Sequence, residues 1–212
     1  MNSDGIVVLT TLSNKPLGAM QPMRIESSRL FIAIPIDEQW RQQLTQQMTV
    51  LQSKLPFQKW THPEDYHITL KFLGDTPLEQ YEQLSKLLTH VAETTRPFQL
   101  TLTQWGTFGL HASPSILWAG VGGDLLPLMN LQQDIDNRMS ELGFPKENRE
   151  FHPHLTMARR YQGNSTPFSI ANLVPHVSES AMYGSVNEFK LYESHLKKTP
   201  MYEPIASFTF SK

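Results

Sequence analysis

Two short segments of the chain read His-x-Thr: His67-Ile68-Thr69 and His154-Leu155-Thr156. On a β-strand, residues two apart project from the same face, about 7 Å from one another. Each segment therefore offers an imidazole and a hydroxyl to one side. Ile68 and Leu70, or Leu155 and Met157, go to the other. Facing each other across a cleft, two imidazoles and two hydroxyls suit a phosphodiester. An imidazole titrates near pH 6.5, so one ring can take a proton from an attacking water while its partner protonates the departing oxygen. The threonine hydroxyls can donate to the non-bridging oxygens, where charge builds. Nothing in this scheme calls for a metal or any other cofactor.

A lone His-x-Thr is more often a half-buried surface pair than a site, so the weight lies on the two copies occupying matching places. Arg159 and Arg160 follow the second copy and could bring a positive charge to the phosphate. Strict alternation sends Arg160 to the face of His154, and a bulge after Ala158 would reverse that choice. His152 and His154 form His-Pro-His, a spacing that can also bind metal. This alternative is a metal phosphoesterase that chelator would silence. His62, His90, His111, His176 and His195 have no partner in register and read as ordinary surface or structural residues. Phe31, Phe72, Trp105, Phe108, Trp118 and Phe151 read mainly as core, with one or two free to stack on a nucleobase.

The elements that must position these residues occur in a repeated order. RLFIAIPI from Arg29 reads as a buried strand, and Asp37 can cap a helix that puts Trp40, Leu44, Met48, Leu51 and Leu55 on one stripe. YHITLKFL from Tyr66 is the next strand. A helix from Pro77 follows, with Tyr81, Leu84, Leu88 and Val91 along one face, and then the strand FQLTLTQW. The second half gives the strand SILWAGVG, a helix over 124–142 with Leu128, Leu131, Ile135 and Met139, and HPHLTMARR. Placing His67 on His154 is a shift of 87 positions (67 to 154), and the same shift puts Ile32 on Ala119, inside the first strand of each half. SVNEFKLYES and YEPIASFTF read as two further strands. The expectation is an α+β protein of two similar lobes, with repeat units of approximately 29–104 and 115–210 inside one domain over 25–212. Residues 1–24, with Asn14, Pro16, Gly18 and Pro22, read as a disordered extension.

Composition narrows the function. The 212 residues are 39% hydrophobic, as in a globular protein. Lys and Arg number 18 against 20 Asp and Glu, so a net charge of −2 supplies no global field for nucleic acid, and any RNA contact must be local. The absence of cysteine excludes thiol nucleophiles and thiolate metal sites and fits the cytoplasm. The run IVVLTTL from Ile6 is short and follows Asp4, so neither a secretory signal nor a membrane span is expected.

With RLFIAIPID, HPEDYHITLKFLGD, ILWAGV, FHPHLTMARR and LYESHL in that order, the sequence resembles the two-histidine phosphoesterase superfamily, specifically the LigT-like RNA 2′,3′-cyclic phosphodiesterases, from about Arg29 to Phe210. The resemblance implies a bilobal fold with a pseudo-twofold, two mainly antiparallel sheets lining a central cleft, and helices outside. It implies hydrolysis of RNA-terminal or nucleoside 2′,3′-cyclic phosphate to the 2′-phosphate without metal, His67 being the proton donor to the 3′-oxygen and His154 the acceptor. Thr69 and Thr156 match the motif threonines. The family arginine, five residues after the second histidine, falls on Arg159, against the alternation argument; we follow the family. Some members also join RNA ends through a 2′,5′ linkage by the reverse chemistry. The expected partners are RNA with a cyclic phosphate end or a small cyclic nucleotide, for a cytoplasmic monomer. Two competing readings are a non-catalytic RNA-end binding module and an enzyme for a small cyclic phosphate such as ADP-ribose 1″,2″-cyclic phosphate.

Overall fold

The computed structural model describes residues 26–163, 167–169, 173 and 183–211, and the extension expected over residues 1–24 lies outside them. Among the described residues the order is β1 (Ser27–Pro35), α1 (Glu38–Gln52), β2 (Phe57–Trp60), β3 (His67–Pro77), α2 (Tyr81–Thr94), β4 (Phe98–Leu110), β5 (Ser113–Gly123), α3 (Leu125–Glu141), β6 (His154–Tyr161), β7 (Tyr183–Val186), β8 (Glu188–Ser194) and β9 (Tyr202–Thr209). This is the α+β class that the alternating strand and helix patterns lead to.

The helices form for the reasons their sequences give. Asp37 caps α1 by accepting the backbone N–H of Trp40 at 2.7 Å, satisfying one of the donors a helix start leaves open. The stripe Trp40, Leu44, Met48 and Leu51 is buried, as are Leu84, Leu88 and Val91 of α2 and Leu128, Leu131, Ile135 and Met139 of α3. All three stripes enter one core with the strands. The second helix starts at Tyr81, because Pro77 is followed first by a 3₁₀ turn, Leu78–Gln80. No helix among the described residues is long and apolar enough to cross a membrane.

The strands run in the order β7-β4-β5-β6-β3-β1-β8-β9, with β2 beside β6, and the pairs are antiparallel. The two expected sheets are thus two halves of one sheet, five strands (β7, β4, β5, β6 and β2) and four (β3, β1, β8 and β9), joined where β3 meets β6 at a single pair, Ile68↔Leu155. The chain interleaves the halves: β4 of the first sequence unit pairs with β5, and β8 near the end pairs with β1. This divides the segment read as one strand, SVNEFKLYES. Its first part is β7 on β4 and its second is β8 on β1, at opposite ends of the strand order, so one straight strand cannot serve both. The break falls at Asn187, whose side chain accepts from Ser185 Oγ and whose carbonyl accepts from the Phe210 N–H.

Candidate active site at the seam of the sheet

The joint between the halves is where the two motifs meet. Ile68 and Leu155 are 1% and 0% exposed and point into the core, so their neighbours point into the cleft. Antiparallel continuation from that pair sets His67 across from Thr156 and Thr69 across from His154. The pseudo-twofold passes through the pair, and each histidine faces the threonine of the other motif.

Both imidazoles are held in the same way. Nδ1 of His67 donates to the carbonyl of Asp65 at 2.7 Å, and Nδ1 of His154 to the carbonyl of His152 at 2.6 Å. A carbonyl can only accept, so each Nδ1 carries a hydrogen and each Nε2 is the atom left for proton exchange. Nε2 of His67 lies 3.0 Å from Thr69 Oγ1, whose hydroxyl donates to it when the ring is neutral. Aromatic rings pack around both: Phe31 and Tyr202 lie 4.9 and 5.1 Å from His67, Phe108 5.0 Å from His154. Phe31 and Trp118, 87 positions apart (31 to 118), flank the two histidines in turn.

Burial pushes His67 down to about 4, opposed by the Asp65 carbonyl and the Asp65 charge, with Arg159 and His154 lowering it further. Burial also lowers His154; the His152 carbonyl opposes this, while His152 and Arg159 add to it. Both shifts favour the neutral ring. A bound phosphodiester, being an anion, favours charging them again.

Two matching bulges decide which arginine faces the cleft. In β6, Leu117 pairs with Ala158 and Trp118 with Thr156, so Met157 has no partner; in β3, Ile32 pairs with Lys71 and Ala33 with Thr69, so Leu70 has none. At each bulge two successive residues turn inward, Met157 with Ala158 and Leu70 with Lys71, all at most 4% exposed. Alternation resumes one residue late. Arg159 consequently lines the cleft, in a cavity shared with His67, Thr156, Asp65 and Tyr202. Arg160 has a φ of 61° and reaches toward Gln58, so the alternation argument that favoured it is corrected by the bulge. The counterpart of Arg159 under the shift of 87 (72 to 159) is Phe72, 65% exposed and 6.0 Å from Phe31.

Thr69 and His154 lie on the far side of the Ile68/Leu155 pair and do not line that cavity. Of the remaining histidines, His62 does line it, although its Nδ1 is taken up in accepting the Glu64 N–H. His90 lies near Glu93 on α2, His195 bonds Glu203, His111 is exposed in the β4–β5 turn, and His176 lies outside the described residues. Among the described residues, no group of three or more His, Asp or Glu converges as metal ligands. The aromatic residues divide as well: Trp105 is buried in the core, whereas Phe31, itself buried, and Phe108 and Trp118 pack on the histidines.

Sequence reasoning missed β2, Lys59, Tyr202 and Asp65. Lys59 and Tyr202 line the cavity, and β2 carries Lys59 to it by pairing it with Arg159. Asp65 is 5% exposed, and its carboxylate accepts the backbone N–H groups of Met201 and Tyr202 at 3.0 Å. A carboxylate two residues before a motif histidine was the one signal available for it.

Comparison with known proteins identifies the family and the fold. A family model described as LigT like phosphoesterase matches residues 34–118 and 126–202. An RNA 2′,3′-cyclic phosphodiesterase of Geobacillus stearothermophilus is 39% identical over 184 residues, covering 87% of this chain and 58% of that protein. One of Bacillus subtilis is 33% identical over 188 residues, covering 85% of this chain and 96% of that protein. Among solved structures, Escherichia coli LigT complexed with 3′-AMP superposes with a TM-score of 0.72 at 25% identity, over 88% of this chain and all of that one.

Proposed function

Since the chain belongs to the LigT-like phosphoesterase family, we propose that it opens RNA-terminal or nucleoside 2′,3′-cyclic phosphate to the 2′-phosphate, with His67 as proton donor and His154 as acceptor. The class of enzyme, an RNA 2′,3′-cyclic phosphodiesterase, is that of its relatives over most of the chain. The observation that carries the choice of this pair of histidines is the pair of Nδ1–H to carbonyl bonds, which leaves two Nε2 atoms flanking one seam.

In the proposed step, Nε2 of His154 takes a proton from a water whose oxygen attacks phosphorus. The P–O3′ bond breaks as Nε2–H of His67 delivers its proton to the leaving 3′-oxygen. Water adds across the P–O3′ bond, leaving His154 charged and His67 neutral, and exchange with solvent restores both. Thr69, Thr156 and Arg159 would hold the non-bridging oxygens as their charge grows. With an RNA 5′-hydroxyl in place of water, the same two transfers yield a 2′,5′ linkage. The reading extends to a single domain working as a cytoplasmic monomer, since both halves of the site come from one chain.

The deciding experiment is hydrolysis of a nucleoside 2′,3′-cyclic phosphate in excess EDTA, with the product isomer identified by phosphorus NMR. The expected product is the 2′-phosphate, formed at the rate seen without chelator. A 3′-phosphate would overturn the leaving group, loss of activity in EDTA the metal-free scheme, and no turnover on this or cyclic-ended RNA would leave a binding module.

Two further outcomes follow from the bulges. Arg159→Met is expected to lower kcat/KM by about 10- to 100-fold, the worth of a charge-assisted hydrogen bond, while Arg160→Met leaves it within about twofold. Equal losses would return the phosphate to both arginines. Phe72, an exposed ring 6.0 Å from Phe31, would stack on the terminal base. Phe72→Ala is expected to raise KM about tenfold with little change in kcat, since base stacking on an aromatic contributes about 1–3 kcal/mol. An unchanged KM would remove the ring from substrate binding.

A further inference from the structure

We propose that the residue two positions before each histidine gives this duplicated site its direction: Asp65 draws the proton to His67, the donor, and His152 drives it from His154, the acceptor. The inference rests on the two-histidine reading and deepens it. Asp65 and His152 are themselves 87 positions apart (65 to 152), so they occupy equivalent places. Each gives its main-chain carbonyl to the Nδ1 of its own histidine, and that contact is the same on both sides. It fixes the rings without distinguishing them.

The side chains do distinguish them. Asp65 is a carboxylate held in place by three N–H bonds from Met201 and Tyr202, in surroundings where a charge acts at low dielectric. His152 is an imidazole set edge-on against Trp118 at 4.9 Å, its ring centre 6.4 Å from that of His154. The titratable and charged groups facing His67 are Asp65, Arg159 and His154, with the phenols of Tyr192 and Tyr202; those facing His154 are His152, Arg159 and His67. Arg159 acts on both rings with the same sign, so its sign does not distinguish them. Asp65 and His152 act with opposite signs.

Burial works against this order, holding His67 down to about 4 while His154 is the less buried ring. A phosphate ester bound between the two rings would cover the open side of His154 and narrow that contrast. The contrast between a carboxylate and an imidazole remains.

The test is an NMR titration of the histidine Cε1–H signals in the intact protein saturated with 2′-AMP, for the natural sequence, Asp65→Asn and His152→Asp. His67 should titrate at higher pH than His154. Asp65→Asn should lower the His67 midpoint by about one unit, and His152→Asp should raise that of His154 by about one unit, each leaving the other histidine in place. The reverse order in the natural sequence, or a midpoint that stays put in either variant, overturns the proposal. If Asp65→Asn fails to fold, the exposed His152→Asp decides alone. Turnover separates the two levels: both histidines essential with unmoved midpoints condemns this inference only, whereas full activity in His67→Ala or His154→Ala condemns the reading beneath it.

Discussion

Replacing either His67 or His154 with alanine is expected to lower turnover of a cyclic-ended RNA by 10² to 10⁴-fold, the usual contribution of a positioned acid or base. KM should change little, because in the proposed scheme Arg159 and the threonines would still hold the phosphate oxygens. The fold should survive, since both rings face the cleft and the core behind them is Ile68, Leu70, Leu155 and Met157. Each proton transfer is useless without the other, so the double variant should lose little more than the worse of the two singles. Single-turnover kinetics with a 2′,3′-cyclic-ended oligonucleotide measures this directly. A variant that keeps the natural rate removes that histidine from the mechanism, and strictly multiplying losses would mean that the two act in separate steps.

The repeated strand, helix and strand units were legible because periodicity reports which face of an element is buried, and that is settled locally. Trp40, Leu44 and Met48 had to share a helix face whatever they packed on. The His-x-Thr pairs were legible for the same reason. What lay hidden were relations between distant segments. Nothing local in the sequence tells that Tyr183–Val186 belongs beside β4 and Glu188–Ser194 beside β1, because hydrogen bonding to a partner strand leaves no mark on either sequence. The bulges hid the arginine: one unpaired residue at Met157 reverses every side chain after it, and alternation read from the sequence assumes that no such residue exists. Asp65 was hidden because its partners are main-chain N–H groups more than 130 residues away, and main-chain groups carry no sequence signature.

The bulge in β3 has an energetic consequence, because it turns Lys71 into the core together with Leu70. Lys71 is 4% exposed, and its ammonium binds Asp136 of α3 and the carbonyl of Pro145. A buried charge is tolerable only when paired, and here the pair ties β3, which carries His67, to the helix that connects β5 to β6. Lys71→Ala leaves the Asp136 carboxylate with the Glu147 N–H and no cation, and should cost about 3–5 kcal/mol. For a chain of this size that lowers Tm by roughly 6–20 °C. The double variant Lys71→Met with Asp136→Leu removes both charges and fills the space, so it should recover most of the loss or exceed the natural stability, as apolar replacements of buried pairs commonly do. Urea denaturation of the three proteins distinguishes the cases. A loss below about 1 kcal/mol in Lys71→Ala would mean that water reaches the pair and that its burial counts for little. Failure of the double variant to recover would mean that the pair, rather than the volume it fills, holds the bulge and thus the position of Phe72 beyond it.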